Sequence, residues 1–380
     1  MTVTIGTLKE RAAGERRVAA TPEMIKKFTT LGAHVLVEHG AGLSASIADS
    51  TFADAGATLC ERADLLGRTD ILLAVQAPDP ASLAGVKPGV RLVGLLDPFS
   101  SRDWAEAYAT LGIEALAMEF LPRITRAQSM DVLSSQSNLA GYKAVLDAAY
   151  EYGRAIPMMT TAAGTITAAR AFVMGVGVAG LQAIATAKRL GAQVSATDVR
   201  PAVKEQILSL GAKPIFVEQV AGTEDNGGYA GEMSAEYQRA QAELISSHIA
   251  KQDIVITTAL IPGKPAPRLI SDAQIATMRP GSVIVDLAVE QGGNVEGSVA
   301  GQVVERHGVI IVAHRNVPSR LPADASALYA RNLYNFLAAF WNSEAGGLAL
   351  PDHDEIAIAV RLTQGGKIVN QRLLPQPVDA

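Results

Sequence analysis

The chain repeats one phrase that limits its fold more than any other feature: a helical pattern ends in glycine, a small residue follows, and a β-rich run begins. It occurs at Leu31-Gly32-Ala33 before Val35-Leu36-Val37, at Ala55-Gly56-Ala57, at Leu111-Gly112-Ile113, at Leu190-Gly191-Ala192 before Val194, and at Leu210-Gly211-Ala212 before Ile215. Glycine just past a helix end takes a left-handed conformation without a Cβ penalty and turns the chain back. Repeated helix-to-strand returns of this kind build doubly wound, mostly parallel α/β sheets. The phrase lies on both sides of residue 140, which predicts two such sheets, and 380 residues are too many for one ordinary core.

The first region predicts strands near 3–7, 34–38, 70–75, 90–95 and 114–118. Its first helix opens at Thr21-Pro22-Glu23, with Thr as the cap, Pro in the first turn and Glu against the helix dipole. A long helical pattern from Ser134 to Gly153 leads to a second region, with strands near 171–175, 193–197, 213–217, 253–257, 282–286 and 309–312. Residues 218–234 hold four glycines and no apolar periodicity, a long loop of the kind that is usually functional or disordered. From Asp324 to Trp341 the pattern is helical again and is assigned back to the first region. The expected domains are therefore 1–138 plus 320–380, and 139–319. The tail reads as a hairpin, with Ile356 to Val360 and Lys367 to Val369 flanking Thr363-Gln364-Gly365-Gly366.

Charge and cysteine content exclude several classes. The 33 basic and 38 acidic side chains give a formal charge of −5, which leaves no basic footprint for nucleic acid. Cys60 is the one cysteine, so no intrachain disulfide can form and a reducing compartment is the simplest reading. The N-terminus has no apolar signal core, and the uncharged run from Ala171 to Ala187 falls short of the ~20 apolar residues a spanning helix needs. A cytoplasmic chain is expected. His34, His39, His248, His307, His314 and His353 never pair at helical metal-ligand spacing and have no cysteine partners, so no metal site is expected. Neither a Gly-x-Ser-x-Gly element nor a P-loop is present.

What the sequence does carry is Gly175-Val176-Gly177-Val178-Ala179-Gly180, placed after the apolar run Ala171 to Met174 and opening the helical run Leu181 to Leu190. The first glycine makes a tight turn, the second lets backbone approach a pyrophosphate, and the third allows close helix–strand packing. The helix N-terminus then faces the phosphates. Asp198 ends the next strand, 21 residues after Gly177, where an acid bonds the ribose 2′-hydroxyl and repels a 2′-phosphate. This context reads as a Rossmann-like unit for NAD(H), in a chain of two Rossmann-like domains. Val199 and Arg200 adjoin the acid, and Arg200 is the neighbour that works against the NAD(H) preference.

Two later strand ends are placed to line the nicotinamide half of the site: Thr257 to Gly263, with Thr258, Ala259 and Leu260, and Asp286 to Asn294, with Asp286 and Glu290. Ordinary strand-to-loop connections are the alternative. The polar stretch Pro122 to Ser134 also has two readings. It either caps the following helix and forms an ion pair, or reaches across a cleft toward a ligand.

With these motifs assembled, the chain resembles the NAD(H)-binding subunit of proton-translocating nicotinamide nucleotide transhydrogenase over roughly residues 1 to 340. The specific stretches are Lys9-Glu10-Arg11 with Gly14 to Ala19, Met118 to Tyr142, Gly175 to Arg200 and Thr257 to Pro267. It is similar, more distantly, to alanine dehydrogenase. Alanine dehydrogenases use an Arg for the pyruvate carboxylate, a Lys in Val-Lys-Glu-Pro and a His in Tyr-Leu-His-Leu. Here Arg17 is kept, but Gln76 stands in Val75-Gln76-Ala77-Pro78, and Gly94-Leu95-Leu96-Asp97 has no His. Reducing a ketone or imine needs a proton donor, which neither Gln76 nor Leu95 supplies. Hydride exchange between two nicotinamides needs alignment instead.

The resemblance implies that Arg123, Gln128, Asp131 and Ser134 surround the nicotinamide, with Gln128 reaching toward NADP(H) on a partner subunit. It also implies that residues 218–234 close over NAD(H), with Tyr229 contributing. It implies further a homodimer, an NADP(H)-binding transhydrogenase subunit as partner, and peripheral attachment to the inner membrane. The chain ends at Val378-Asp379-Ala380 without a span, so separate membrane subunits are expected. The other readings are an alanine-dehydrogenase-like enzyme and an NAD(H) sensor that binds without transfer.

Overall fold

The computed structural model describes residues 2–217, 235–261, 263–342 and 347–374. The chain divides into two compact units, residues 1–136 with 318–380, and residues 137–317.

The first unit is built on a six-stranded sheet of β1 (Thr4–Thr7), β2 (His34–Glu38), β3 (Thr58–Cys60), β4 (Ile71–Gln76), β5 (Arg91–Leu95) and β6 (Glu114–Ala117), in the order β3-β2-β1-β4-β5-β6. All its pairings are parallel. Both faces are covered, which is why β4 is apolar along its length rather than alternating. Ile71, Leu73 and Val75 pack with Tyr329, Leu333 and Phe336 of the helix Pro322–Ala339. Leu72 and Ala74 pack on the other side with Leu65, Leu92 and Tyr108. The Tyr329 hydroxyl ties that helix to the end of β4 by donating to the Ala74 carbonyl at 2.9 Å.

The second unit adds an exposed hairpin of β7 (Met159–Thr161) and β8 (Gly164–Ile166) to a seven-stranded sheet. That sheet contains β9 (Arg170–Met174), β10 (Gln193–Thr197), β11 (Lys213–Pro214), β12 (Ile254–Thr257), β13 (Val283–Asp286), β14 (Gln302–Arg306) and β15 (Val309–Ala313). The order is β11-β10-β9-β12-β13-β15-β14, and only β14 runs antiparallel, at the edge. Ala171 and Val173 of β9 meet Ile184 and Ala187 on one face, while Phe172 and Met174 meet Ile249 and Ile275 on the other.

Both sheets are thus doubly wound and mostly parallel, as the glycine returns predict. The five return glycines have φ between +70° and +99°. At Gly191 the constraint is double, because a Cβ would also stand 2.7 Å from Pro157 Cβ.

Several local expectations are corrected. Thr21 precedes the helix Pro22–Thr30 but makes no side-chain cap hydrogen bond. Ile356 to Val360 is not a strand: Asp354 accepts from the Ile356 and Ala357 amides and caps a short helix, Glu355–Val360. The tail hairpin is confined to Thr363–Gln364 and Lys367–Ile368. Trp341 likewise lies in a two-residue strand after the helix, not in it.

Among the described residues, no helix is long and apolar enough to cross a membrane.

Candidate functional site

In each sheet the strand order reverses beside its first strand, at β1/β4 and at β9/β12. The carboxyl ends of the strands at such a point form the crevice where open α/β sheets bind ligands.

In the second unit that crevice is made of backbone. Gly175 follows β9 with φ +102°, and a Cβ there would meet Thr258 Oγ1 at 2.5 Å. Thr258 Oγ1 donates to the Gly175 carbonyl at 3.0 Å and fixes the turn against the end of β12. A Cβ on Gly180 would stand 1.9 Å from the Gly175 carbonyl oxygen, so the helix Val178–Arg189 approaches its strand to a distance only glycine permits. Gly177, at the helix N-cap, has no side-chain cap bond, and a Cβ there would meet nothing within 4 Å. Room is thus left beside the helix N-terminus, which fits a pyrophosphate in the cradle. Val178 is exposed, Ala179 half-buried.

Asp198 follows β10. Its Oδ2 accepts the Val176 N–H at 2.7 Å, and its Oδ1 accepts the Arg200 N–H and Nε, each at 2.9 Å. Burial pushes this carboxyl up, but the Arg200 guanidinium and the Val176 amide outweigh it and hold it below the usual carboxylate range. Arg200 is thus paired with the acid. Val199, between them, is exposed.

Asp286, expected as a ligand contact, is fully buried. Its Oδ1 accepts from Ala288 N (3.0 Å) and Asn294 N (3.2 Å), and its Oδ2 from Val295 N (3.1 Å) and Ser298 Oγ (2.8 Å). Both oxygens organise the loop after β13, so the residue acts on the site through that loop. Asn294 carries the effect onward: its Oδ1 accepts from Ala259 N at 3.0 Å, and its Nδ2 donates to the Ala259 and Pro267 carbonyls. Thr258 and Ala259 are half-buried and Leu260 is exposed on this clamped segment. Glu290 is exposed and accepts from Asn316 N. Asn294 had no sequence signal of its own, since it meets Ala259 across 35 residues. Tyr229, with the whole 218–234 stretch, lies outside the described residues.

Arg123, Gln128, Asp131 and Ser134 belong to the first unit. Asp131 caps the helix Val132–Glu151: its Oδ1 accepts Ser134 N at 2.9 Å and its Oδ2 accepts Ser134 Oγ at 2.5 Å. Arg126 pairs with Asp354 at 2.8 Å. The cap and the ion pair of the plainer reading are therefore both present. The 3-10 turn Thr125–Met130 is anchored by Asn332 and Asn335, which donate to the Ser129 carbonyl. Gln128 on this anchored segment and Arg123 just before it stand exposed, without side-chain partners among the described residues.

In the first unit the side chains at the corresponding strand ends bond one another. Arg17 donates to Glu15 through Nε (2.8 Å) and Nη2 (2.6 Å), and to Gln136 through Nη1 (2.8 Å). Gln76 donates to the same Glu15. Glu10 accepts the Val75 N–H at the end of β4. Burial drives Glu10 up to about 7 against that amide's opposite pull, and burial drives Glu119 up to about 7 as well. Arg17 thus has its guanidinium engaged by Glu15 and Gln136.

Residues 6–140 match the alanine dehydrogenase/PNT N-terminal domain, and residues 144–371 match the corresponding C-terminal domain. The chain belongs to the alanine dehydrogenase/PNT family. Within that family it is 52% identical to the first part of NAD(P) transhydrogenase subunit alpha of Rhodospirillum rubrum, over 97% of this chain and 98% of that one. The crystal structure of transhydrogenase from Sinorhizobium meliloti superposes with a TM-score of 0.89 at 53% identity, covering 96% of this chain and all of that one. Alanine dehydrogenase 1 of Staphylococcus aureus is 27% identical over 97% of this chain and 95% of that one. An L-alanine dehydrogenase structure shares the fold, with a TM-score of 0.79. Among family members, then, the transhydrogenase branch is nearer in sequence.

Proposed function

We propose that the chain is the NAD(H)-binding component of a proton-translocating NAD(P) transhydrogenase, passing hydride between NADH and NADP⁺ held by a partner subunit. The observation that carries this reading is the near full-length 52% identity to a transhydrogenase alpha-subunit polypeptide. NADH would supply the hydride when bound. The chain's own residues hold and orient: the Gly175–Gly180 turn and helix N-terminus grip the pyrophosphate, Asp198 takes the adenosine ribose, and Thr258 to Leu260 flank the nicotinamide. Arg123, Gln128, Asp131 and Ser134 orient the ring for the partner, with Gln128 facing the second nicotinamide. Such alignment, at about 3–3.5 Å between reacting atoms, supplies most of the rate in a transfer that moves no proton.

The reading includes a homodimer, for which the exposed Met158, Met159 and Ile166 at the β7–β8 hairpin offer apolar surface. It also includes a cytoplasmic location and attachment to the inner membrane through separate subunits that couple transfer to proton movement. The occupied Arg17 and the absence of Lys and His at Gln76 and Leu95 weigh against amino-acid oxidation.

The test mixes purified chain with an NADP(H)-binding transhydrogenase component and follows transfer from NADH to an NADP⁺ analogue. Gln128→Asn should leave NADH affinity nearly intact and slow transfer at least roughly tenfold. Equal losses in both would remove Gln128 from this role, and no transfer by the parent chain would end the proposal.

A further inference from the structure

The second unit has a cavity at the other edge of its sheet, at the amino ends of β9, β10 and β12, away from the glycine turn. It is an open recess of about 150 Å³, lined by the buried Tyr152 and Asp253 and by Arg154, Arg170, Gln193 and Arg279, which are solvent-exposed, among others. This is well below the ~300–1,000 Å³ of pockets that take drug-sized ligands. The space suits a small ion, not a nucleotide.

The charge of the lining runs against that of the chain, which is −5 overall. Three guanidiniums and one carboxylate meet in the cavity wall, leaving an excess of two positive charges. The carboxylate is engaged within the wall: Asp253 Oδ2 accepts the backbone N–H of Arg170 at 2.8 Å, and Oδ1 pairs with Arg279 Nη1 at 3.7 Å, so one of the three guanidiniums is partly offset. The guanidiniums of Arg154 and Arg170 have no hydrogen-bonded or ion-paired acid among the described residues. Arg170 starts β9 in register with Gln193 of β10, so a guanidinium and an amide are set side by side by strand pairing. Planar guanidiniums present paired N–H groups that match the oxygens of phosphate or carboxylate, and several around one space select a multiply charged anion.

We propose that this cavity is an anion site for a phosphate dianion, either free or as a phosphomonoester headgroup. Arg154, Arg170 and Arg279 supply the charge and Gln193 a neutral donor. Occupation is independent of the nucleotide cradle, because the cavity and the glycine turn lie at opposite ends of the same strands.

The experiment titrates the full chain with inorganic phosphate at fixed ionic strength, with and without saturating NADH, and follows heat. Saturable binding that persists with NADH is expected, and Arg170→Gln or Arg279→Gln should weaken it roughly tenfold or more, since each removes a charge-assisted contact. Asp253→Asn, which removes the opposing charge, should tighten it. Binding displaced by NADH would place the anion in the pyrophosphate cradle and overturn the proposal. So would absence of saturation, or binding indifferent to the arginine substitutions in variants with parent-like circular dichroism. A parallel sedimentation with phosphatidic acid and phosphatidylcholine vesicles separates the sources. Capture by the former alone, competed by free phosphate, assigns a headgroup; no capture assigns the soluble ion.

Discussion

Replacing Asp286 tests whether this residue serves the site by contact or by scaffolding. Its two oxygens accept three backbone amides and two hydroxyls, Ser298 Oγ and, at 3.4 Å, Thr257 Oγ1, in a place with no solvent access. In Asp286→Asn one oxygen becomes an NH₂ group. If the remaining carbonyl keeps Ala288 and Asn294, the NH₂ faces the Val295 amide, which then has no acceptor. Ser298 can turn its hydroxyl round and accept. The loss is one buried N–H left unsatisfied, at about 1–3 kcal/mol, plus the charge assistance of the surviving bonds, for a total of roughly 3 kcal/mol. With a urea dependence of about 2 kcal/mol per M, the unfolding midpoint of the nucleotide-binding unit should fall by about 1–2 M at unchanged slope. Amide exchange at 288, 294 and 295 should accelerate together. NADH affinity should drop only modestly, through loosening of the Asn294 clamp on Ala259. An unchanged midpoint and protection pattern with a large loss of NADH affinity would refute the scaffold and return Asp286 to direct contact.

The glycine turn predicts a contrast measurable by NADH titration and thermal unfolding. Gly180→Ala, whose Cβ would meet the Gly175 carbonyl oxygen at 1.9 Å, should lose both stability and affinity, whereas Gly177→Ala, with nothing within 4 Å, should keep stability and lose affinity by roughly tenfold or more. Asp198→Ala leaves Arg200 without its acid, so the ratio of NADPH to NADH dissociation constants should fall by roughly tenfold or more, read by competitive fluorescence titration. Glu10 and Glu119 have folded values of about 7 against an ordinary 4.5, so their contribution is fully present below 4.5 and is lost as pH rises through about 7. Urea midpoints should therefore fall between about pH 5 and 8. Glu10→Gln and Glu119→Gln should each flatten that slope, and a slope unchanged in both would show the carboxyls to titrate normally.

The sheet strands were legible because burial on both faces writes continuous apolar runs such as Ile71 to Val75 and Ala171 to Met174. Edges were not. Gln302–Arg306 is largely exposed and its polar residues carry no run, and Thr58–Cys60 is too short to show a period. The β7–β8 hairpin is wholly exposed, so nothing in its composition demanded a strand. Ile356 to Val360 is apolar and short, where helix and strand cannot be told apart by period; the Asp354 cap decides it. At the site, the glycine turn and Asp198 were readable because spacing along the chain fixes them. The Asp286–Asn294–Ala259 clamp and the Glu15–Arg17–Gln76 lock were not, since each depends on residues brought together by the fold.

The turn that holds the pyrophosphate in our reading has no ionisable side chain from Gly175 to Gly180. Among the described residues, the one carboxylate bonded to it, Asp198, is held below its usual range by Arg200 and Val176. The cradle is therefore blind to protons near neutrality. If the proposed function holds, the turn's grip on the nucleotide would not follow the local proton concentration that its partners change. Any pH dependence of NADH binding between about 6 and 8 has to enter from residues outside the turn.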